Sequence, residues 1–231
     1  MEKIKTIILT LVILFILAVQ VHAQHKETRE VGTFNKIHAG GSFNVVLEKG
    51  NKESVRLEGK NIDFNKVITE VKNNSLHVKL ENGNYRNFDL TVYVTYTNLE
   101  EVHSSGSGNL TSKSDISSSN LKISLSGSGN ANLKSLQAND LEVALSGSGN
   151  LSLEGGSTKN LSIRQSGSGN VKSAGLTAEN CNIKKSGSGD MDINVSQSLE
   201  VESSGSGNIK YKGSPTINKM RFSGSGELVK I

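Results

Sequence analysis

The sequence predicts an all-β protein: a parallel, β-helix-like β-solenoid of coils about 20 residues long, preceded by an irregular, mostly antiparallel β region. Three observations carry this. The tetrapeptide Ser-Gly-Ser-Gly occurs seven times, beginning at Ser105, Ser126, Ser146, Ser166, Ser186, Ser204 and Ser223, and Asn, Asp or Glu follows each copy. Apolar and polar residues alternate with period two in phase with that repeat. A single Pro, no Trp and no sustained 3.6-residue apolar period argue against helical layers.

The first element is a leader. Lys3 and Lys5 precede an apolar run from Ile7 to Val19, and Val21-His22-Ala23 offers a small-residue cleavage site, so residues 1–23 read as a secretory signal peptide cut before Gln24. The run is short for a membrane span, which implies no integral membrane segment after cleavage. The remaining 208 residues carry a net charge of +3, scattered along the chain, and this points to no nucleic-acid partner. Cys181 is the one cysteine, so the fold forms without an internal disulfide.

Residues 24–97 form the second element, a β region without a repeat. Phe43-Asn-Val-Val-Leu47, Ser54-Val-Arg-Leu-Glu58, Ile68-Thr-Glu-Val71, Leu76-His-Val-Lys-Leu80 and Leu90-Thr-Val-Tyr-Val-Thr-Tyr96 are strand-like, with Gly50-Asn51, Asn73-Asn74 and Asn82-Gly83-Asn84 as turns. Seven of the nine aromatics after residue 23 lie here, so this region is expected to hold the denser core.

Residues 98–231 are the solenoid. Three residues before the motif stand Val102, Ile123, Val143, Ile163, Ile183, Val201 and Met220, all apolar. Five before it stand Leu121, Leu141, Leu161, Cys181 and Leu199, with Glu100 and Asn218 in the end copies, where atypical residues are expected. Each column predicts an inward ladder with roughly 4.8 Å between rungs. Between them Glu101, Lys122, Glu142, Ser162, Asn182, Glu200 and Lys219 form an outward column, with opposite charges on several neighbouring rungs. Leu110, Ala131, Leu151, Val171, Met191, Ile209 and Leu228 begin a second short strand after the motif.

The motif itself reads as a corner. Gly106 and Gly108, Gly127 and Gly129, Gly147 and Gly149, Gly167 and Gly169, Gly187 and Gly189, Gly205 and Gly207, and Gly224 and Gly226 supply the tight turn. Asn109, Asn130, Asn150, Asn170 and Asn208, with Asp190 and Glu227, are placed to stack as a hydrogen-bonded ladder.

Phe34-Asn-Lys-Ile37, Gly41-Ser-Phe-Asn-Val45, Ser54-Val-Arg-Leu-Glu-Gly59 and Leu90-Thr-Val-Tyr-Val94, leading into repeated Ser-Gly-Ser-Gly-Asn, resemble the head GIN domain family of auto-transporter adhesins. The resemblance runs from about residue 31 to 231 as one unit. It implies a secreted, β-rich protein of Bacteroidetes-type bacteria, in the periplasm or at the cell surface of a Gram-negative cell, and it brings no catalytic residues.

Chemistry in the residues themselves is sparse. Gly187-Ser-Gly-Asp190-Met-Asp192 resembles a calcium β-roll turn and makes Asp190 and Asp192 the metal candidates, although most corners carry neutral Asn where such a roll needs Asp. Glu200 and Glu202 share an outward strand face, as a glycosidase pair would, but Lys184, Lys219 and Arg221 explain them equally well as a charge ladder. Ser-Gly-Ser-Gly lacks the Gly-x-Ser-x-Gly elbow. His25, His38, His77 and His103 are far apart in sequence and show no metal-ligand spacing. Cys181 stands in an apolar column, as a buried thiol would.

The expected function is therefore a non-enzymatic, adhesin-like or envelope scaffold module without a cofactor, whose partner is an envelope or host protein or a polysaccharide. The alternative is a carbohydrate-active or calcium-binding solenoid. No aromatic residue lies between Thr97 and Lys210, so contact is expected along a polar solenoid face. The C-terminal strand edge, Glu227–Ile231, is a place for end-to-end dimerisation.

Overall fold

Alternation in phase with a repeat leaves each coil one way to bury its apolar face, which is to lie on the preceding coil with every column continued. The computed structural model describes residues 25–231, and the leader proposed at residues 1–23 lies outside them. In chain order the strands are β1 (His25–Glu30), β2 (Lys36–Gly41), β3 (Asn44–Lys49), β4 (Ser54–Lys60), β5 (Val67–Lys72), β6 (Ser75–Leu80) and β7 (Asp89–Tyr96). The repeats supply β8 (Glu101–Gly106), β9 (Leu110–Ser112), β10 (Ile116–Gly127), β11 (Ala131–Leu133), β12 (Leu136–Gly147), β13 (Leu151–Leu153), β14 (Gly156–Gly167), β15 (Val171–Ser186), β16 (Met191–Ser204), β17 (Ile209–Lys212), β18 (Thr216–Ser223) and β19 (Leu228–Lys230). The described residues contain no α-helix, and no helix among them is long and apolar enough to cross a membrane.

The repeats stack as a parallel β-solenoid. Leu121, Leu141, Leu161, Cys181 and Leu199 pair rung to rung, as do Ile123, Val143, Ile163, Ile183 and Val201. All ten are at most 3% exposed. Ala131, Leu151, Val171, Met191 and Ile209 form the matching column on the short strands. The column just before the motif also faces inward and admits polar residues, Gln165 and Lys185 among them. The Lys185 ammonium is held by the Gly187 carbonyl at 2.7 Å, and burial lowers its pKa.

Corner geometry follows from the glycines. Gly147 has a φ of +125°, and both Ser148 N–H and Gly149 N–H donate to the Gly127 carbonyl, at 3.0 and 3.1 Å. Beside the corner, Asn130, Asn150 and Asn170 each donate a backbone N–H to the Oδ1 of the asparagine one coil earlier, at 3.1, 3.1 and 3.0 Å. Their Nδ2 groups donate to the same oxygens. Asp190, Asn208 and Glu227 continue the series by donating their N–H groups to Asn170, Asp190 and Asn208.

The antiparallel strands of the N-terminal region are β1, β4 and β5, which pair as β1–β4, β4–β7 and β5–β6. The other strands there are coils of the solenoid, stacked out of chain order. β2 lies parallel between β6 and β8, and β3 between β7 and β9. The chain thus builds coil 36–49, passes through β4 and β5, adds coil 75–96 on one side of it, and returns to lay coil 101–112 on the other. Gly41 (φ +146°) occupies the corner position, and Asn109 N–H donates to Asn44 Oδ1 at 3.1 Å, so the side-chain ladder starts at Asn44. β1, β4 and β5 close this end, with Arg29 of β1 donating to the Phe64 carbonyl and to Thr69 Oγ1 across the closure, at 2.7 and 3.0 Å. Phe34, Phe43, Phe64 and Tyr96 fill the core there, each at most 9% exposed.

Candidate binding groove

The long strands bend. In β10, β12 and β14 the in–out alternation is interrupted by exposed pairs, Ser119-Asn120, Asn139-Asp140 and Lys159-Asn160, and the strand beyond each pair faces a different side of the solenoid. Because the bend recurs at one register, it produces a continuous groove of 660 Å³ parallel to the solenoid axis. The groove crosses the rungs from Lys36 to Glu200, six steps or roughly 29 Å.

Its floor is the column Leu121, Leu141, Leu161 and Cys181. One wall is an amide and carboxylate ladder: Asn160 Nδ2 donates to Asp140 Oδ1 at 2.8 Å, Asn180 Nδ2 to Asn160 Oδ1 at 3.2 Å, and Ser198 Oγ to Asn180 Oδ1 at 2.6 Å. The other wall is the outward column from Glu101 to Glu200, in which Asn182 Nδ2 donates to Glu200 Oε2 at 2.9 Å. Five carboxylates and two lysines, Lys36 and Lys122, line the groove, so its field is negative. Burial pushes the Cys181 thiol up to about 12, which keeps it protonated and a poor nucleophile.

The other residues singled out by sequence fall elsewhere. Asp190 accepts the Asn208 N–H on one oxygen within the corner ladder, at 2.8 Å, and Asp192 follows two residues later on β16. Among the described residues no three His, Cys, Asp or Glu side chains converge as a metal site. Glu200 lines the groove, whereas Glu202 is ion-paired with Lys219 beyond it. That lysine lowers the Glu202 pKa, opposite to what a glycosidic general acid requires.

Sequence reasoning missed a histidine ladder. The out-of-order stacking puts His38 in register between His77 and His103, with ring centroids 5.1 and 5.7 Å apart, and Glu101 Oε1 lies 3.6 Å from His38 Nε2. Burial holds the His38 pKa below the ordinary histidine range; Glu101 opposes this and the two neighbouring imidazoles add to it. The unfolded chain therefore binds this proton more readily than the folded one. The corresponding stability is present above pH ~6.5 and is lost as the pH falls through that value toward the folded pKa. Urea unfolding is expected to show lower stability at pH 5.5 than at pH 7.5, and His38→Gln to flatten that slope; an unchanged slope would remove His38 as its source.

Residues 33–215 match the family described as putative auto-transporter adhesin, head GIN domain. The chain belongs to this family. Among solved structures, a putative adhesin from Bacteroides fragilis superposes with a TM-score of 0.81 at 24% identity, covering 90% of this chain and 97% of its own. A putative adhesin from Parabacteroides distasonis gives 0.73 at 21% identity, covering 91% and 98%. A putative lipid binding protein from the same organism gives 0.66 at 22% identity, again covering 91% and 98%. These likenesses establish a shared fold. No curated protein matches the chain.

Proposed function

We propose that this head GIN domain protein is an exported, non-enzymatic, adhesin-like module that holds an extended polymer, an envelope or host polypeptide or a polysaccharide, along its axial groove. The observation that carries the reading is the groove's periodicity: each rung sets polar side chains on both sides of one buried column, amide, carboxylate or hydroxyl on one wall and a varying polar or charged residue on the other. A repeated site suits a repeated ligand, and solenoids offer such elongated surfaces to partners. Without aromatic platforms, contact runs through amide, hydroxyl and carboxylate edges, and the negative field favours neutral or cationic chains over anionic ones. The leader at residues 1–23 and the family's adhesin description support export to the periplasm or cell surface. The corner glycines and the Asn44-to-Glu227 ladder serve as scaffold under this reading.

The test is an array of bacterial and host polysaccharides and envelope proteins, probed with the chain from residue 24 onward, with and without calcium. Binding is expected to be saturable and calcium-independent. Ser162→Trp, which places an indole between Glu142 and Asn182 on one wall, is expected to weaken it by about tenfold or more with the unfolding temperature unchanged. A blank array would overturn the groove reading in favour of a structural envelope role, and a ligand indifferent to Ser162→Trp would overturn it in favour of another binding surface.

A further inference from the structure

The two ends of the solenoid differ. β1, β4 and β5 cover the N-terminal end, whereas among the described residues β18 pairs only with β16 and β19 only with β17, and no further strand lies on the outer side of this coil. The exposed large apolar side chains among the described residues are all on that coil: Ile217 at 41%, Met220 at 59% and Ile231 at 56%. Ile217 and Met220 continue columns whose preceding members, Leu199 and Val201, are fully buried. A coil that only capped the stack would present a polar outer face.

Charge converges on the same place. Residues 209–231 carry five Lys and Arg and one Glu, a net +4, which equals the net charge of the whole chain, so the other 208 residues sum to zero. On the outward columns of the last three rungs the sign alternates: Lys184, which itself follows Arg164, is followed by Glu202 and then Arg221, and Glu200 is followed by Lys219. The next rung in that series would be acidic, apolar, acidic, the pattern that Glu200-Val201-Glu202 already presents to β18. β18 and β19 also lie beyond residue 215, where the family match stops.

We propose that the last coil is a docking edge for an extended acidic segment of another protein, which adds to β18 in parallel as the next rung, its apolar residue on Met220 and its carboxylates opposite Lys219 and Arg221. Strand addition supplies affinity through the main chain and specificity through alternate side chains. The same two cations discourage self-pairing: a two-fold antiparallel pair centred on Met220 would set Lys219 of one copy opposite Arg221 of the other.

The probe is a labelled peptide with the sequence of Ser198–Ser204, and the control carries Lys in place of both Glu residues. Fluorescence anisotropy is expected to show saturable, salt-sensitive binding of the acidic peptide alone. Lys219→Gln with Arg221→Gln, which puts no carboxylate opposite Glu200 or Glu202, is expected to weaken that binding by about tenfold or more and to abolish the preference over the lysine peptide, with the unfolding temperature held. Ser162→Trp is expected to leave it unchanged, which separates this surface from the groove. No binding of the acidic peptide, or equal binding of both peptides, would overturn the proposal. A dimeric mass of the free chain by light scattering would assign the edge to a second copy instead, and binding to anionic vesicles that the peptide does not displace would assign it to a membrane surface.

Discussion

Replacing Gly147 by alanine is expected to remove roughly 3 kcal/mol or more of unfolding free energy, among the largest losses from a single methyl group in this chain. Two costs add. The residue sits at φ +125°, where a Cβ is strained, and that Cβ would stand 2.3 Å from the Gly127 carbonyl oxygen, a backbone atom fixed by the coil beneath. Gly149 isolates the second cost. Its φ is not in the positive region, yet its Cβ would come within 2.0 Å of the Gly129 carbonyl oxygen. Gly155→Ala is the control: its nearest neighbour is the Lys134 carbonyl oxygen at 3.4 Å, and an effect within about 0.5 kcal/mol is expected. Urea unfolding of the three variants decides the matter. Equal losses would mean that generic flexibility, and not close coil-to-coil approach, explains the glycines.

That close approach is also why so much of the solenoid is legible in the sequence. An in-register stack repeats its environment, so each column can be read down seven copies, and the burial of Cys181 follows from its place among Leu121, Leu141 and Leu161. Legibility ends where the repeat degenerates. Coil 36–49 keeps Gly41 and Asn44 but has Phe43 where the later motifs have their second glycine, and coil 75–96 has no copy of the motif. The Gly41-Ser-Phe-Asn44 string carried the signal, but one substitution breaks the pattern. Stacking order was hidden for a different reason. Alternation fixes which face a residue takes, not which strand lies beside it, so the return of the chain over β2 and the alignment of His38 with His77 and His103 depend on tertiary pairing alone. The groove was half visible: its floor and one wall are columns of the repeat, but the bend at Asn120, Asp140 and Asn160 interrupts the alternation by one residue, which a period-two reading passes over.

The ladder makes position along the stack decide the weight of an apolar residue, and one column tests this. Ile163 is 1% exposed, with Val143 on one side and Ile183 on the other, whereas Met220 ends the same column at 59% exposure. Ile163→Ala is expected to cost about 3 kcal/mol, because it loses burial and leaves a cavity that stacked neighbours cannot fill without shifting their own rungs. Met220→Ala is expected to cost less than about 0.5 kcal/mol, since most of its surface already meets water. In a quasi-one-dimensional stack each coil is stabilised only by its neighbours, so the Ile163 variant weakens two interfaces and the Met220 variant part of one. Urea unfolding measures both. If Met220→Ala cost as much as Ile163→Ala, the terminal side chain would already be covered in solution, and the last coil would not be free to receive a further strand.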